Sequence, residues 1–289
     1  MEGKIILITG STDGIGKVTA KALAKQGHTI IVHGRNKEKA EVVCKEIKSE
    51  TGNSRIDFII ADLFSLSDVK RMAIEFQEKY ERLDVLINNA GAMFGKNRGI
   101  TIDGYEKTIA LNLLAPFLLI QLLLDTLAKS PSARIINITS AAHTMTGPLD
   151  LNDIQLENGY TFGKAYGQAK LYLIWITQHL AGKLKEKGLM HISSNSVHPG
   201  TVKTEFGQNE NKGFWINLLL KLAMPFASTP EQGAETTIYL ATSRDVENVT
   251  GAYFSNKKIA QPSKKYYSPE NEKIIWDFCM ETAKPYMDK

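Results

Sequence analysis

Lys4-Ile5-Ile6-Leu7-Ile8-Thr9-Gly10-Ser11-Thr12-Asp13-Gly14-Ile15-Gly16 is an apolar run that passes straight into three glycines at spacings of four and two, followed by a helical pattern. In such a turn the first glycine permits the sharp bend, and the second lets the backbone approach a pyrophosphate. The third lets the helix pack closely on the strand. The free N–H groups at the helix start then face an anion. Gly10 to Gly16 is accordingly a candidate dinucleotide-phosphate site. Glycine turns also serve as plain strand–helix connectors, and this spacing is not the commonest fingerprint, so the rest of the chain has to decide.

Outward from that stretch, strand-like and helix-like segments alternate. Strand patterns occupy 4–9, 29–32, 55–61, 83–87, 134–138, 191–197 and 252–254. Several are continuous apolar runs, as in a parallel sheet covered on both faces. Helical patterns occupy 15–26, 37–50, 68–80, 105–128, 165–187 and 230–241. The alternation predicts an α/β fold, a doubly wound and mostly parallel seven-stranded sheet of the Rossmann kind, with residues 1–289 forming one domain. Ligands of such sheets collect beyond the carboxyl ends of the strands.

The 289 residues are 43% hydrophobic, with 35 basic and 31 acidic side chains and a net charge of +4. That excess is mild and scattered, apart from Lys257, Lys258, Lys264 and Lys265, so no basic stripe for nucleic acid is expected. Cys44 and Cys279 read as small buried hydrophobes of a reducing, cytoplasmic environment rather than a disulfide. No Cys/His spacing suggests a metal. The run 5–9 is too short for a signal peptide. Leu111–Leu124, interrupted by Asn112, Pro116 and Gln121, reads as a buried helix rather than a membrane span, giving a soluble protein.

The second strand ends in His33-Gly34-Arg35-Asn36. A carboxylate there would pair with the ribose hydroxyls of NAD. A guanidinium instead suits the 2′-phosphate of NADP, although an exposed arginine also serves solubility alone. Lys17 could add charge near the phosphates. Asp62 and Leu63 follow the third strand, where the carboxylate can meet adenine or cap the next helix, a task for which Ser67 is the better candidate. Asn89, Ala90 and Gly91 follow the fourth strand and permit close backbone approach.

Tyr166 and Lys170 stand one turn apart on a predicted helix and share a face. A phenol titrates too high for acid–base work at neutral pH, and a neighbouring ammonium favours its ionised form. Ser140 ends the fifth strand, where a hydroxyl can hold a substrate oxygen. Asn112 is a polar residue inside an apolar helix, suited to a water-mediated proton path through Lys170. Each has a plainer reading, as chance pair, loop hydroxyl or helix bend; their coincidence with the glycine turn gives them weight. His143 is close enough to Ser140 to raise a serine-hydrolase reading, but no nucleophile elbow surrounds Ser140. His143 reads as a pocket-rim residue.

Taken together, Thr9 to Gly16, Asn88-Asn89-Ala90-Gly91, Asn112, Ser140, Tyr166-Gly167-Gln168-Ala169-Lys170 and His198-Pro199-Gly200-Thr201 resemble the short-chain dehydrogenase/reductase family. The likeness is to its retinol-dehydrogenase-like and WW-domain-oxidoreductase-like branch and runs from about residue 3 to residue 255. It implies hydride transfer between NADP and a carbonyl or alcohol, with Tyr166 as proton donor or acceptor and Ser140 orienting the substrate oxygen. Lys170 would lower the phenol pKa and bind the ribose, and Asn112 would maintain the proton relay. The cofactor would be met by Gly10, Ser11, Thr12, Asp13, Gly14, Ile15, Gly16, Arg35, Asn36, Asp62, Leu63, Asn89, Ala90, Gly91, Pro199, Gly200, Val202 and Thr204.

Beyond Thr204, Phe214 to Phe226 is heavily apolar. Residues 205–228 lie where similar enzymes carry a helical substrate lid, which suggests a retinoid-, steroid- or lipid-aldehyde-like substrate. Ordinary core, peripheral membrane contact and a homodimer face are alternatives. Ala92, Met93, Phe94, His143, Met145 and Tyr160 are candidate pocket wall, and 256–289 is a C-terminal extension with no assigned chemistry. The competing function is a non-catalytic dinucleotide-binding scaffold or sensor that keeps the fold.

Overall fold

The structure, a computed structural model, describes residues 3–200 and 229–287. Strand β1 (Ile5–Ile8) is followed by helix α1 (Gly14–Lys25), β2 (Thr29–Gly34), α2 (Lys37–Thr51), β3 (Ile56–Ile60), α3 (Leu66–Lys79) and β4 (Val85–Asn88). The second half begins with α4 (Lys107–Ala128), which contains a π-helical turn at Ala110–Leu114. Then come β5 (Ala133–Ile138), a 3-10 turn (Ala141–Thr144), α5 (Phe162–Glu186), β6 (Ile192–His198), α6 (Pro230–Thr242), β7 (Tyr253–Ser255), β8 (Lys258–Ala260) and α7 (Pro269–Met287).

Among the described residues the strands form one sheet in the order β3-β2-β1-β4-β5-β6-β7-β8, parallel except for the final antiparallel pair. The order reverses between β1 and β4, so the crevice above their carboxyl ends is the expected ligand site. One core lies against α3, α4, α5 and α7, and the other against α1, α2 and α6. The helix starts are locally encoded. Asn36 Oδ1 accepts from Lys39 N, Ser65 Oγ from Asp68 N and Thr161 Oγ1 from Lys164 N, while Thr229 and Gln232 form a reciprocal capping box. The third helix thus begins at Leu66 with Ser65 as its cap, rather than at 68 with Ser67.

Among the described residues the sheet has eight strands, not seven. Asn256 and Lys257, at φ of 51° and 58°, form the two-residue turn that folds β8 back along β7. Positive φ at both central residues is the requirement of a type I′ hairpin. The expected tail holds a further surprise in α7. Ile275, Cys279, Thr282 and Ala283 are buried, and Trp276 stacks on His179 of α5 at 4.5 Å between ring centroids. Glu272 Oε1 lies 2.9 Å from Nδ1 of the same histidine. Cys44 and Cys279 are free and buried, as expected. Helix α4 is long and apolar enough to cross a membrane, but most of it is buried inside this fold.

Candidate active site

The β1–α1 turn is closed around its glycines. A Cβ on Gly10 would lie 2.9 Å from the Ala90 Cα, and one on Gly16 would strike the Gly10 carbonyl and the Asn89 amide. Gly10 and Gly14 have positive φ, 62° and 51°. Thr9 Oγ1 accepts from both Asn89 N (3.0 Å) and Ala90 N (2.9 Å), and Asn89 Nδ2 donates to the carbonyls of Thr9 and Gly10. Two strand ends that would otherwise be free are thereby stitched across the switch point. The first-turn N–H groups of α1 at Ile15 and Gly16 have no preceding helical carbonyl to bond, which leaves them for an anion.

Two residues under this turn make it stiff. The buried Ser11 hydroxyl donates to Ile8 O at 2.7 Å and accepts from His33 N at 3.0 Å, so Ser11 faces inward and braces the turn. His33 Nδ1 accepts from Gly10 N at 3.1 Å, and its Nε2 donates to Ala61 O at 3.2 Å. Burial holds this imidazole neutral, with its pKa down to about 4. Neither His33 nor Thr9 carries a motif signal beyond its place beside Gly10 and at the end of β2.

Arg35 is exposed at the rim, its guanidinium 5.7 Å from the centre of the Phe64 ring. Phe64 in turn meets Phe94 edge-on at 5.4 Å. Asn36 is occupied as the α2 cap. Thr12 lies under Gly34, where any Cβ would meet its methyl at 2.6 Å. Asp13 caps α1 and pairs with Lys39 at 2.7 Å, a bond that holds its carboxyl below the usual range. Lys17 turns away to Glu46. Asp62 Oδ1 accepts from Phe64 N at 3.2 Å in a local turn just before Leu63 and α3. Pro199 and Gly200 follow β6, Gly200 at a φ of 85°. Val202, Thr204 and the stretch 205–228 lie outside the described residues.

On the far wall of the crevice four polar side chains converge. Ser140 begins the 3-10 turn, its Oγ accepting from Ala142 N at 3.2 Å. The Ser140 side chain lies beside the Tyr166 hydroxyl, where it acts to lower the phenol pKa, and Tyr166 is only 8% exposed. Lys170 is 3% exposed; its Nζ donates to Ile138 O at 2.9 Å and lies 5.6 Å from the Tyr166 ring centre. Asn112 sits in the π turn of α4, where the widened helix coil lets Nδ2 reach both Ala92 O and Thr108 O at 2.9 Å. Its Oδ1 is buried without a hydrogen-bond partner among the described residues. A Cβ on Gly91 would meet that Oδ1 at 2.7 Å and Lys170 Nζ at 3.1 Å, so both polar atoms border the same small space.

Burial governs the electrostatics here. It pulls the Lys170 amine down to about 7 and pushes the Tyr166 phenol above its ordinary value, with only the Ser140 bond acting downward. Burial is thus the largest influence on the phenol in this state. Among the candidate wall residues, His143 is buried, with both ring nitrogens engaged, and so is not a rim residue, while Met145 is 66% exposed.

A glycine turn with spare amides, set at the switch point of a parallel sheet opposite a tyrosine–lysine helix, is the arrangement of a nicotinamide-dinucleotide oxidoreductase. The family model described as short chain dehydrogenase matches residues 4–214, and the chain belongs to that family. It is similar to human polyprenol dehydrogenase, 38% identical over 284 residues that cover 96% of this chain and 84% of that protein. Human retinol dehydrogenase 11 is 37% identical over 277 residues, covering 96% and 85%. Among solved structures, an uncharacterised protein from Mycobacterium paratuberculosis superposes with a TM-score of 0.76 at 26% identity, covering 97% of this chain and 93% of the other. The Pseudomonas aeruginosa RhlG/NADP active-site complex gives 0.69 at 28%, covering 88% and 94%.

Proposed function

We propose that this chain is an NADP(H)-dependent oxidoreductase that interconverts a hydrophobic carbonyl and its alcohol, of retinoid, steroid or lipid-aldehyde kind, with Tyr166 as the proton-transfer group. The observation that carries this reading is the meeting of Tyr166, Ser140, Lys170 and Asn112 in one buried patch beside Gly91. The cradle fits a dinucleotide, because no side chain is tolerated at Gly10 or Gly16 and an amide-rich helix start faces the space above them. A nicotinamide bound there supplies or takes up the hydride and, when oxidised, carries positive charge.

The chain's own residues do the rest. The α1 amides hold the pyrophosphate, and the Arg35 fork holds a 2′-phosphate in the absence of any carboxylate at the end of β2. Lys170 Nζ holds a ribose hydroxyl. Ser140 Oγ holds the substrate oxygen, and Tyr166 Oη gives that oxygen a proton on reduction or takes it on oxidation. Burial keeps the phenol protonated, the form that carbonyl reduction requires. Asn112 Oδ1, which has no hydrogen-bond partner among the described residues, and Lys170 Nζ form the inner end of a proton path to the phenol.

An apolar substrate is supported by the retinol and polyprenol dehydrogenases among the relatives, and NADP by Arg35 together with the NADP complex of RhlG. Residues 205–228 are assigned as the substrate cover, and two buried free thiols suit a cytoplasmic setting. The test is NADPH oxidation with all-trans-retinal and decanal, in wild type and Tyr166→Phe. Turnover with either aldehyde that is lost in the variant supports the reading. Tight NADPH binding with no turnover would leave a dinucleotide-binding scaffold.

A further inference from the structure

His143 takes no part in the proposed reaction, yet it is fixed at both ends of its ring. It lies in the 3-10 turn, 5% exposed, with Nδ1 2.7 Å from Ser140 O and Nε2 3.0 Å from Ser263 N. The carbonyl can only accept and the amide can only donate. The two contacts therefore require a proton on Nδ1 and a lone pair on Nε2. The ring also stands edge-on to Tyr253 of β7, centroids 5.3 Å apart. Beside it, His198 Nδ1 at the end of β6 accepts from Ala141 N at 3.2 Å. The turn that begins at Ser140 is thus held by side chains from its own length and from the sheet, and by one backbone amide beyond β8.

We propose that His143 is a positioning residue for Ser140: as a neutral Nδ1–H imidazole it latches the turn bearing the Ser140 hydroxyl to the segment after β8, so that the C-terminal part of the chain sets where that hydroxyl stands. The role rests on the reading of Ser140 as the group that holds the substrate oxygen. An imidazolium would turn an N–H toward the Ser263 N–H and break the latch. The surroundings oppose that charge. Burial lowers the pKa of His143 and of His198, and it pushes the Tyr253 phenol up to about 12, leaving it neutral. The groups next to Ser263 along the chain are Lys264 and Lys265, which are cationic.

Long-range ¹H–¹⁵N spectra of histidine-labelled protein, free of ligand, read the tautomer directly, with His143→Phe assigning the signal. The expected result is an Nδ1–H ring in wild type and loss of that fixed state in Ser263→Pro, which removes the amide but keeps the histidine. With NADPH and whichever of retinal or decanal is turned over faster, both variants should lose about tenfold in kcat, roughly the worth of one hydrogen bond. KM and NADPH affinity should stay within about twofold, since the role proposed for His143 and Ser263 is to hold the turn rather than to bind either ligand. Thermal unfolding of Ser263→Pro within a few degrees of wild type separates this effect from misfolding. An Nε2–H or mixed tautomer in wild type, or unchanged kcat in both variants, overturns the proposal. If Ser140→Ala keeps full kcat, the reading of Ser140 fails and the positioning role with it. The latch itself is still decided by the tautomer.

Discussion

On the β1 side of the crevice the Gly10 amide, the Ser11 hydroxyl and the Asn89 amide all have partners within the chain. On the β5 side Asn112 Oδ1 has none among the described residues, and Lys170 is buried with its pKa drawn down to about 7. Apart from the α1 amides left for an anion, one wall is a finished mould, stiff before anything enters it. The other holds polar groups whose protonation is poised and whose bonding is completed only by what binds. The difference teaches where to look for function: groups that fold alone would not leave costly are structural, and those left under-satisfied are candidates for chemistry.

Tyr166→Phe tests the poised wall at its centre and should give the largest effect. Loss of the transferable proton is expected to lower kcat about 10³-fold while NADPH still binds, as measured by steady-state turnover and NADPH fluorescence titration. Gly16→Ala tests the mould. Its methyl has nowhere to go between the Gly10 carbonyl and Asn89, so NADPH affinity should fall about a hundredfold, of the order of two lost charge-assisted bonds. If affinity stays intact, the stiffness of this wall is not what binds the dinucleotide.

Arg35→Ala sharpens the comparison at the rim, where the guanidinium rests on Phe64 rather than in a bonded network. The ratio of NADPH to NADH catalytic efficiency should drop about tenfold or more. A wild type that prefers NADH would overturn the assignment of β2. The smallest effect concerns stability. A buried lysine whose folded pKa is near 7, against 10.5 unfolded, costs the fold most at pH below about 7, where both states are charged. The cost falls as pH rises toward the unfolded value, because the unfolded chain then holds more protons than the folded one. Lys170→Met should therefore raise Tm by about 5 °C at pH 6 and by less at pH 9, read by calorimetry.

Sequence patterns exposed the cradle and the four candidate site residues because each sits in a short, spaced motif at a strand end or on one helix face. The alternation of elements was equally plain. What escaped is instructive. Helix α7 was hidden by its lysines and by Pro285, although Ile275, Cys279, Thr282 and Ala283 keep helical spacing. β8 was too short and too exposed to read as a strand, and the Asn256-Lys257 turn lacks the glycine that marks most such hairpins. Thr9, His33 and His143 each make at least one hydrogen bond to a backbone atom far along the chain, which no local pattern encodes. Nor does spacing reveal how deeply Tyr166 and Lys170 are buried, so the sign of the phenol's shift had to come from packing.

Trp276 packs against Phe117 of α4, the helix of Asn112, and against His179 of α5, the helix of Tyr166. The two helices that carry Asn112 and Tyr166 are thus clamped by one indole through other side chains, Phe117 and His179. Loosening that clamp should change how Asn112 and Tyr166 face each other without altering a single atom of either.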